Sequence, residues 1–219
     1  MTTNLQNRSA GWYAFASGIV GALAFGFLMT YLKIREENFE QGIFFLRFHD
    51  GGFVLQFLLL IPVVLVLHRL LQKQHTTIKQ TTLRIGIGSL VFTALFVLLT
   101  IPKILSDVLY LFPQGIFGAW LIFVNWHMKG ILPKGLRWLG IVVGIGLTLS
   151  GIFPIGYAIF INTIILQIPA ASDEAVQKIA TDTTANIILH QMVGIGLIGV
   201  VLLPVWTILI GFRLLRKKV

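Results

Sequence analysis

Residues 52–71 read GFVLQFLLLIPVVLVLHRLL, an apolar run whose only ionisable side chains are His68 and Arg69 near its end. At a rise of about 1.5 Å per residue, a helix of this length covers about 30 Å, the thickness of the hydrocarbon core of a bilayer. The run therefore predicts a transmembrane helix, and five further apolar runs predict five more. The predicted spans are residues 12–32, 52–71, 85–105, 108–126, 139–166 and 187–212.

The composition of the 219 residues agrees with a membrane protein. Hydrophobic residues make up 56% of the chain and charged residues 11%, whereas soluble domains are about a quarter charged. The segments between the spans are too short to fold alone, so residues 1–219 are predicted to form a single transmembrane domain. The fold class that follows is an all-α, polytopic bundle of six helices. Because the chain has no cysteine, disulfides, thiolate metal sites and a cysteine nucleophile are excluded.

The charges divide between the two sides that six spans would create. All eight acidic residues fall in the first, third and fifth connections. They are Glu36, Glu37, Glu40, Asp50, Asp107, Asp173, Glu174 and Asp182. Twelve of the 17 basic residues fall in the other connections and the termini. Because short loops rich in lysine and arginine stay in the cytoplasm, both termini are predicted to be cytoplasmic.

The formal net charge of +9 would suggest nucleic acid as a partner of a soluble protein. In this chain the basic residues are explained by their role in membrane orientation, and no nucleic-acid motif accompanies them. The expected partners are therefore the lipid bilayer and, as a further possibility, other membrane subunits. No nucleic-acid partner is expected.

Small residues within the spans predict close helix packing, which is a main source of association in lipid. In the first span they recur at every fourth position, at Ala14, Gly18, Ala22 and Gly26. This face is predicted to pack against another helix. Residues 34–48 mix charges with phenylalanines and are predicted to form an interfacial helix before the second span.

Ionisable residues gather at the predicted span ends, and those of the acidic side suggest a site. The candidate catalytic residues there are Arg47, His49, Asp50 and His190. A histidine with Asp50 is suited to acid–base chemistry, and a basic side chain is suited to hold an anion. The candidate ligand-binding residues are Lys103, Asp107 and Gln191. Alternatively, Asp50 caps the second helix, since it precedes two glycines at the predicted start.

Haem is an alternative reading of the histidines on the opposite side. His68 and His127 lie near the ends of the second and fourth spans, where two imidazoles at equal depth would ligate one b-type haem. A histidine at a helix C-terminus also has a simpler role, in which it binds the last carbonyl groups. Apart from this haem alternative, no cofactor and no metal is expected.

No acidic or basic residue occupies the middle of a predicted span, which argues against ion-coupled transport. The main polar residues within the spans are Gln56, Thr93, Thr148, Ser150 and Asn162. The leading hypothesis is a non-catalytic helical module that binds an apolar or lipid ligand, or an accessory subunit of a membrane complex. The alternatives are a membrane enzyme with the His/Asp/Arg site and a b-type haem electron-transfer subunit.

Residues 115–154 read GIFGAWLIFVNWHMKGILPKGLRWLGIVVGIGLTLSGIFP, an apolar helix, a short basic loop and a glycine-rich helix. The pattern resembles uncharacterised bacterial multi-pass membrane proteins that are known only as domains of unknown function. The matching positions are Leu132, Pro133, Arg137, Leu139 and Gly140. The resemblance implies a bacterial cytoplasmic (inner) membrane and a bundle of about six helices, and it transfers no activity and no functional residue.

Overall fold

The computed structural model describes residues 2–74, 78–106, 108–161, 163–166 and 184–216. Throughout these residues the regular elements are helices, which confirms the all-α class. They are α1 (Thr2–Ile34), α2 (Phe39–Gln74), α3 (Gln80–Thr100), α4 (Leu111–His127), α5 (Lys134–Phe160), the single-turn 3₁₀ helix η1 (Thr163–Leu166) and α6 (Thr184–Arg216).

Five helices in the described part of the chain are long and apolar enough to cross a membrane. These segments are Arg8–Ile34, Phe39–Gln74, Gln80–Thr100, Lys134–Phe160 and Gln191–Arg216. The remaining helix, α4, has 17 residues. Its length of about 25 Å lies at the lower limit for a spanning helix. The fourth predicted span therefore stays a prediction, together with the cytoplasmic placement of the termini.

The helices form a ring in sequence order. Each helix packs on the next one along the chain, α6 closes the ring against α1, and α2 touches α4 across the centre. Neighbours run antiparallel, so the α1–α2 and α3–α4 connections, the end of α5 and the start of α6 lie at one end of the bundle. We call this the acidic end, because Glu36 and Glu37 lie in the α1–α2 connection, and Glu40 and Asp50 lie in the first part of α2. The opposite, basic end holds the other two connections, the start of α1 and the end of α6.

Glycines bring α4, α5 and α6 into backbone contact. A Cβ atom added at Gly118 would lie 2.6 Å from the carbonyl oxygen of Gly144, and one added at Gly146 would lie 2.6 Å from Cα of Gly199. Real Cβ atoms do not approach other atoms so closely. These helices therefore pack as closely as they do because their contact positions have no side chains, as is usual for helices in lipid.

The small-residue face of α1 packs only in part, so the prediction for it was half wrong. Ala14 is fully buried and Gly18 lies against the backbone of α6. Ala22, by contrast, is exposed, and no atom lies within 4 Å of a Cβ added at Gly26. Toward the acidic end α1 turns a different face to the bundle, and it contacts α2 through Ala24.

The predicted interfacial helix over residues 34–48 is also wrong, because most of that segment is the first part of α2. The helix runs without a break from Phe39 into the second span. Its phenylalanines pack against α1, with the rings of Phe48 and Phe27 5.4 Å apart. Contact with α1 thus extends the helix along the bundle axis instead of letting it turn onto the membrane surface.

Asp50 does not cap a helix, contrary to the alternative drawn from the sequence. It lies within α2, more than two turns after the first residue. The cap belongs to Asn38, whose side-chain oxygen accepts a hydrogen bond of 3.1 Å from the backbone N–H of Gln41. An asparagine three residues before a glutamine resembles a capping box, so the sequence does carry the signal for this start.

Candidate ligand-binding site

A cavity of about 410 Å³ lies at the acidic end of the ring. We call it the end cavity. Helix α2 lines one side of it, and the end of α3 and the α3–α4 connection line the other. Its charged or polar lining residues are Tyr31, Arg47, His49, Asp50, Thr100, Lys103 and Tyr110. With two basic side chains and one carboxylate, the lining carries a formal charge of +1 and is suited to bind an anion.

The end cavity gathers four of the residues singled out from the sequence. Arg47, His49 and Asp50 come from a single turn of α2, and Lys103 reaches the same cavity from the α3–α4 connection. Gln191 is exposed on α6. Asp107 and the side chain of His190 lie outside the described residues. The assigned catalytic and binding roles stay predictions.

Lys103 adopts a backbone conformation that is costly for a residue with a side chain. Its φ angle is 59°, and within the described ranges it is the only non-glycine residue with a positive φ. The left-handed conformation costs about 1–2 kcal/mol. Such outliers cluster at functional sites, where the surrounding structure holds them in place. Here the conformation belongs to a residue that brings a positive charge to the end cavity.

A second cavity, of about 190 Å³, lies among the helices next to the first and is partly open, since Val193 and Leu197 of its lining are exposed. We call it the interior cavity. It offers room for about six groups of the size of a water molecule, each taking about 30 Å³. Five of the six helices or their flanking residues contribute to its walls, and most of the lining is apolar. The residues are Leu28, His49, Phe53, Tyr110, Leu111, Gln114, Ser150, Val193, Leu197 and Val200.

Gln114 is the most informative residue of the interior cavity. Its side chain is 1% exposed, and neither its amide nitrogen nor its amide oxygen has a hydrogen-bond partner among the described residues. Each unsatisfied buried polar group costs about 1–3 kcal/mol. A bound molecule with a donor or an acceptor at this place would recover that free energy. Sequence reasoning missed Gln114, because polar residues near the predicted start of a span are common.

His49 and Tyr110 lie between the two cavities, since both residues line both of them. The His49 ring is nearly buried, and its Nδ1–H donates a hydrogen bond of 2.9 Å to the carbonyl oxygen of Ala24. Because a carbonyl can only accept, this bond assigns the proton to Nδ1. Nε2 is then the ring atom that is able to accept a hydrogen bond from a ligand.

Two of the polar residues predicted within the spans bond to their own helix. Thr93 donates to the carbonyl of Ser89, and Thr148 donates to that of Gly144. Ser150 instead lines the interior cavity. Asn162 lies outside the described residues.

The two histidines proposed for haem have different surroundings. The His68 ring is 1% exposed, and neither ring nitrogen has a partner among the described residues. His127 lies at the end of α4 and donates a hydrogen bond of 2.8 Å from Nδ1 to the carbonyl of Phe123. This is the simpler role expected of a histidine at a helix C-terminus. Haem ligation stays a prediction.

Comparison of the chain with protein-family models, with curated proteins and with solved structures finds no match. The resemblance stated for residues 115–154 therefore stays a prediction. The apolar helices are compatible with an integral membrane helical protein.

Proposed function

We propose that the protein is a membrane-embedded binding protein for a small amphiphile that enters from the acidic end. The amphiphile carries an anionic headgroup and a hydrogen-bonding group next to a short apolar part. The observation that carries this proposal is the buried amide of Gln114 in the wall of a cavity, which has no hydrogen-bond partner within the described part of the chain. Buried polar groups are nearly always hydrogen-bonded, and an exception calls for an explanation.

The end cavity supports an anionic headgroup. Arg47 and Lys103 bring two positive charges to it, and Asp50 brings one negative charge. Hydrogen bonds between such cations and a phosphate or carboxylate are about twice as strong as neutral ones. The strained backbone of Lys103 has an explanation in this proposal, because that conformation directs the positive charge of Lys103 toward the ligand.

The interior cavity supports the rest of the molecule. Valine and leucine side chains of α6 and Phe53 of α2 offer apolar contact, while Gln114 and His49 offer hydrogen bonds. Binding sites commonly combine a mostly apolar lining with a few polar groups that fix the orientation of the ligand. A carbonyl or hydroxyl group next to the headgroup would meet both polar residues.

The proposal places the bundle in a bacterial inner membrane with both ends of the chain in the cytoplasm, so that the acidic end faces outward. The division of lysine and arginine residues supports this orientation. Helix α4 is included as a sixth span. It runs antiparallel to the spanning helix α5 through Gly115–Gly151 and Gly118–Gly144 contacts, and it therefore lies at the depth of that part of α5.

Hexanoyl lysophosphatidate is a suitable probe, because it combines a phosphate, an ester carbonyl and a short chain. Purified protein in dodecyl maltoside is titrated with the probe by calorimetry. Glycerol phosphate, which lacks the chain, and monohexanoylglycerol, which lacks the phosphate, serve as matched controls. We expect the complete probe to bind at least tenfold more tightly than either fragment, which corresponds to about 1.4 kcal/mol.

Variants assign the two parts of the probe. Arg47→Gln is expected to weaken binding of the complete probe but not of monohexanoylglycerol, and Gln114→Leu is expected to weaken both. Lys73→Gln, at the opposite end of the bundle, is the control for a general effect of charge. Equal affinity of the wild type and both site variants for the probe would reject the proposal.

A membrane enzyme is the second candidate, and the fixed tautomer of His49 favours it. With Nδ1–H held by the Ala24 carbonyl, Nε2 is available as a general base toward water or a ligand hydroxyl. Release of hexanoate from the same probe would reveal this activity, with water as the second reactant. His49→Gln is expected to abolish the release, and binding without release would leave only the first candidate.

A further inference from the structure

A second apolar recess lies on the outer surface of the bundle, away from the two cavities. It has a volume of about 520 Å³ and runs between α3 and α4. We call it the α3–α4 groove. Its apolar walls include Phe92, Phe96, Phe112 and Ile116. Gly88 lies in the groove, and no atom lies within 4 Å of a Cβ added there.

The two ends of the groove differ in chemistry. Thr81 and Arg84, near the start of α3, line it toward the basic end of the bundle, and Arg84 is exposed. Neither α3 nor α4 contains an acidic residue. An anion beside Arg84 would therefore meet a guanidinium and a hydroxyl group and no carboxylate from either helix.

The length of the groove matches one lipid chain. From Arg84 to Phe96 the helix rises by about 18 Å at 1.5 Å per residue. One leaflet contributes about half of the 30 Å hydrocarbon core. An acyl chain whose phosphate lies at Arg84 would thus fill the groove along nearly its whole length.

We propose that the α3–α4 groove binds one anionic phospholipid from the leaflet at the basic end, with its phosphate at Arg84 and one acyl chain against the phenylalanines. Basic recesses between transmembrane helices on the cytoplasmic side are typical places for anionic headgroups. The space above Gly88 is open, since no atom lies within 4 Å of a Cβ added there. An alkyl chain fills that space.

Native mass spectrometry tests the proposal. The purified full-length chain in detergent is incubated with equal amounts of dioleoyl phosphatidylglycerol and dioleoyl phosphatidylcholine, and the retained lipids are counted. We expect the wild type to prefer phosphatidylglycerol about fivefold, the factor for about 1 kcal/mol per basic residue at an anionic surface. Arg84→Gln is expected to remove the preference, while Lys73→Gln, also exposed at the basic end, keeps it.

Gly88→Phe tests the chain-binding part. Since a side chain at this position meets open space, the variant is expected to fold with an unchanged melting temperature and to retain one lipid fewer. A wild-type preference that survives Arg84→Gln, or unchanged lipid retention in Gly88→Phe, would overturn the proposal. A change of oligomeric state in Gly88→Phe with normal lipid retention would assign the groove to a second copy of the chain and would overturn it as well.

Discussion

Replacing Gln114 by leucine should make the ligand-free protein more stable and lower its affinity for the ligand. The side chain of Gln114 is 1% exposed, and neither of its amide atoms has a hydrogen-bond partner among the residues that the structure describes. Leucine has a similar volume and no polar atom, so the substitution removes an uncompensated cost of about 1–3 kcal/mol without opening a cavity. In a protein of this size, each kcal/mol raises the melting temperature by about 2–4 °C.

Two measurements on the same sample check this prediction. Thermal unfolding followed by tryptophan fluorescence in dodecyl maltoside is expected to give a higher melting temperature for Gln114→Leu. Titration with hexanoyl lysophosphatidate is expected to give an affinity about tenfold lower, as for the loss of one hydrogen bond of about 1.4 kcal/mol. Gains in stability at the expense of binding are usual where a polar group serves a ligand.

Thr93→Val is the matched control. Thr93 is fully buried, but its hydroxyl donates to the carbonyl of Ser89 at 2.8 Å, so that its polar atom has a partner. The variant is expected to lose up to about 1 kcal/mol of stability and to bind the probe normally. A lower melting temperature for Gln114→Leu would refute the reasoning, since it would mean that the amide already has a partner within the bundle. Unchanged affinity would refute its role in binding.

Three further predictions concern packing, backbone strain and topology. Gly151→Leu is expected to lower stability by about 1–3 kcal/mol, because a Cβ at this position would lie 2.5 Å from a backbone carbon of α4. Gly26→Leu is the control, since a Cβ there meets open space. Equal melting temperatures of the two variants in detergent would contradict this prediction. Lys103→Gly is expected to raise the free energy of unfolding by about 1–2 kcal/mol, because glycine adopts the left-handed conformation without strain, and to weaken probe binding. A loss of stability would show that contacts of the lysine outweigh the strain. In a chain without native cysteine, an impermeant thiol reagent on intact cells is expected to label Glu37→Cys and spare Lys134→Cys; the reverse would invert the topology.

The all-α fold class is predicted from local sequence alone. Apolar runs of membrane length follow from the need to satisfy every backbone hydrogen bond in lipid, and a helix does so within its own segment. The residue at which each helix begins is harder to predict. Asp50 beside two glycines resembles a helix start, but α2 continues through these residues, and the local cap is at Asn38.

Part of the candidate site was also visible before the structure. Arg47, His49, Asp50 and Lys103 were grouped because they share one predicted interface, and they line one cavity. The depth of a residue in the membrane is predicted well by hydropathy and charge, because it depends only on the position of the residue along its own helix. The direction in which a residue faces around its helix depends on how neighbouring helices pack, so the small-residue pattern predicts burial of Ala22 and Gly26, whereas Ala22 is exposed and Gly26 meets open space.

The interior cavity and the unpaired amide of Gln114 follow only from the tertiary arrangement. The cavity exists because five helices meet around it at one depth, and the burial of Gln114 depends on side chains far away in the sequence. Amino-acid order alone states how long and how apolar each helix is, since those properties act within one segment. Which polar atoms are left without partners is decided between segments, when close glycine contacts set the distances between the helices.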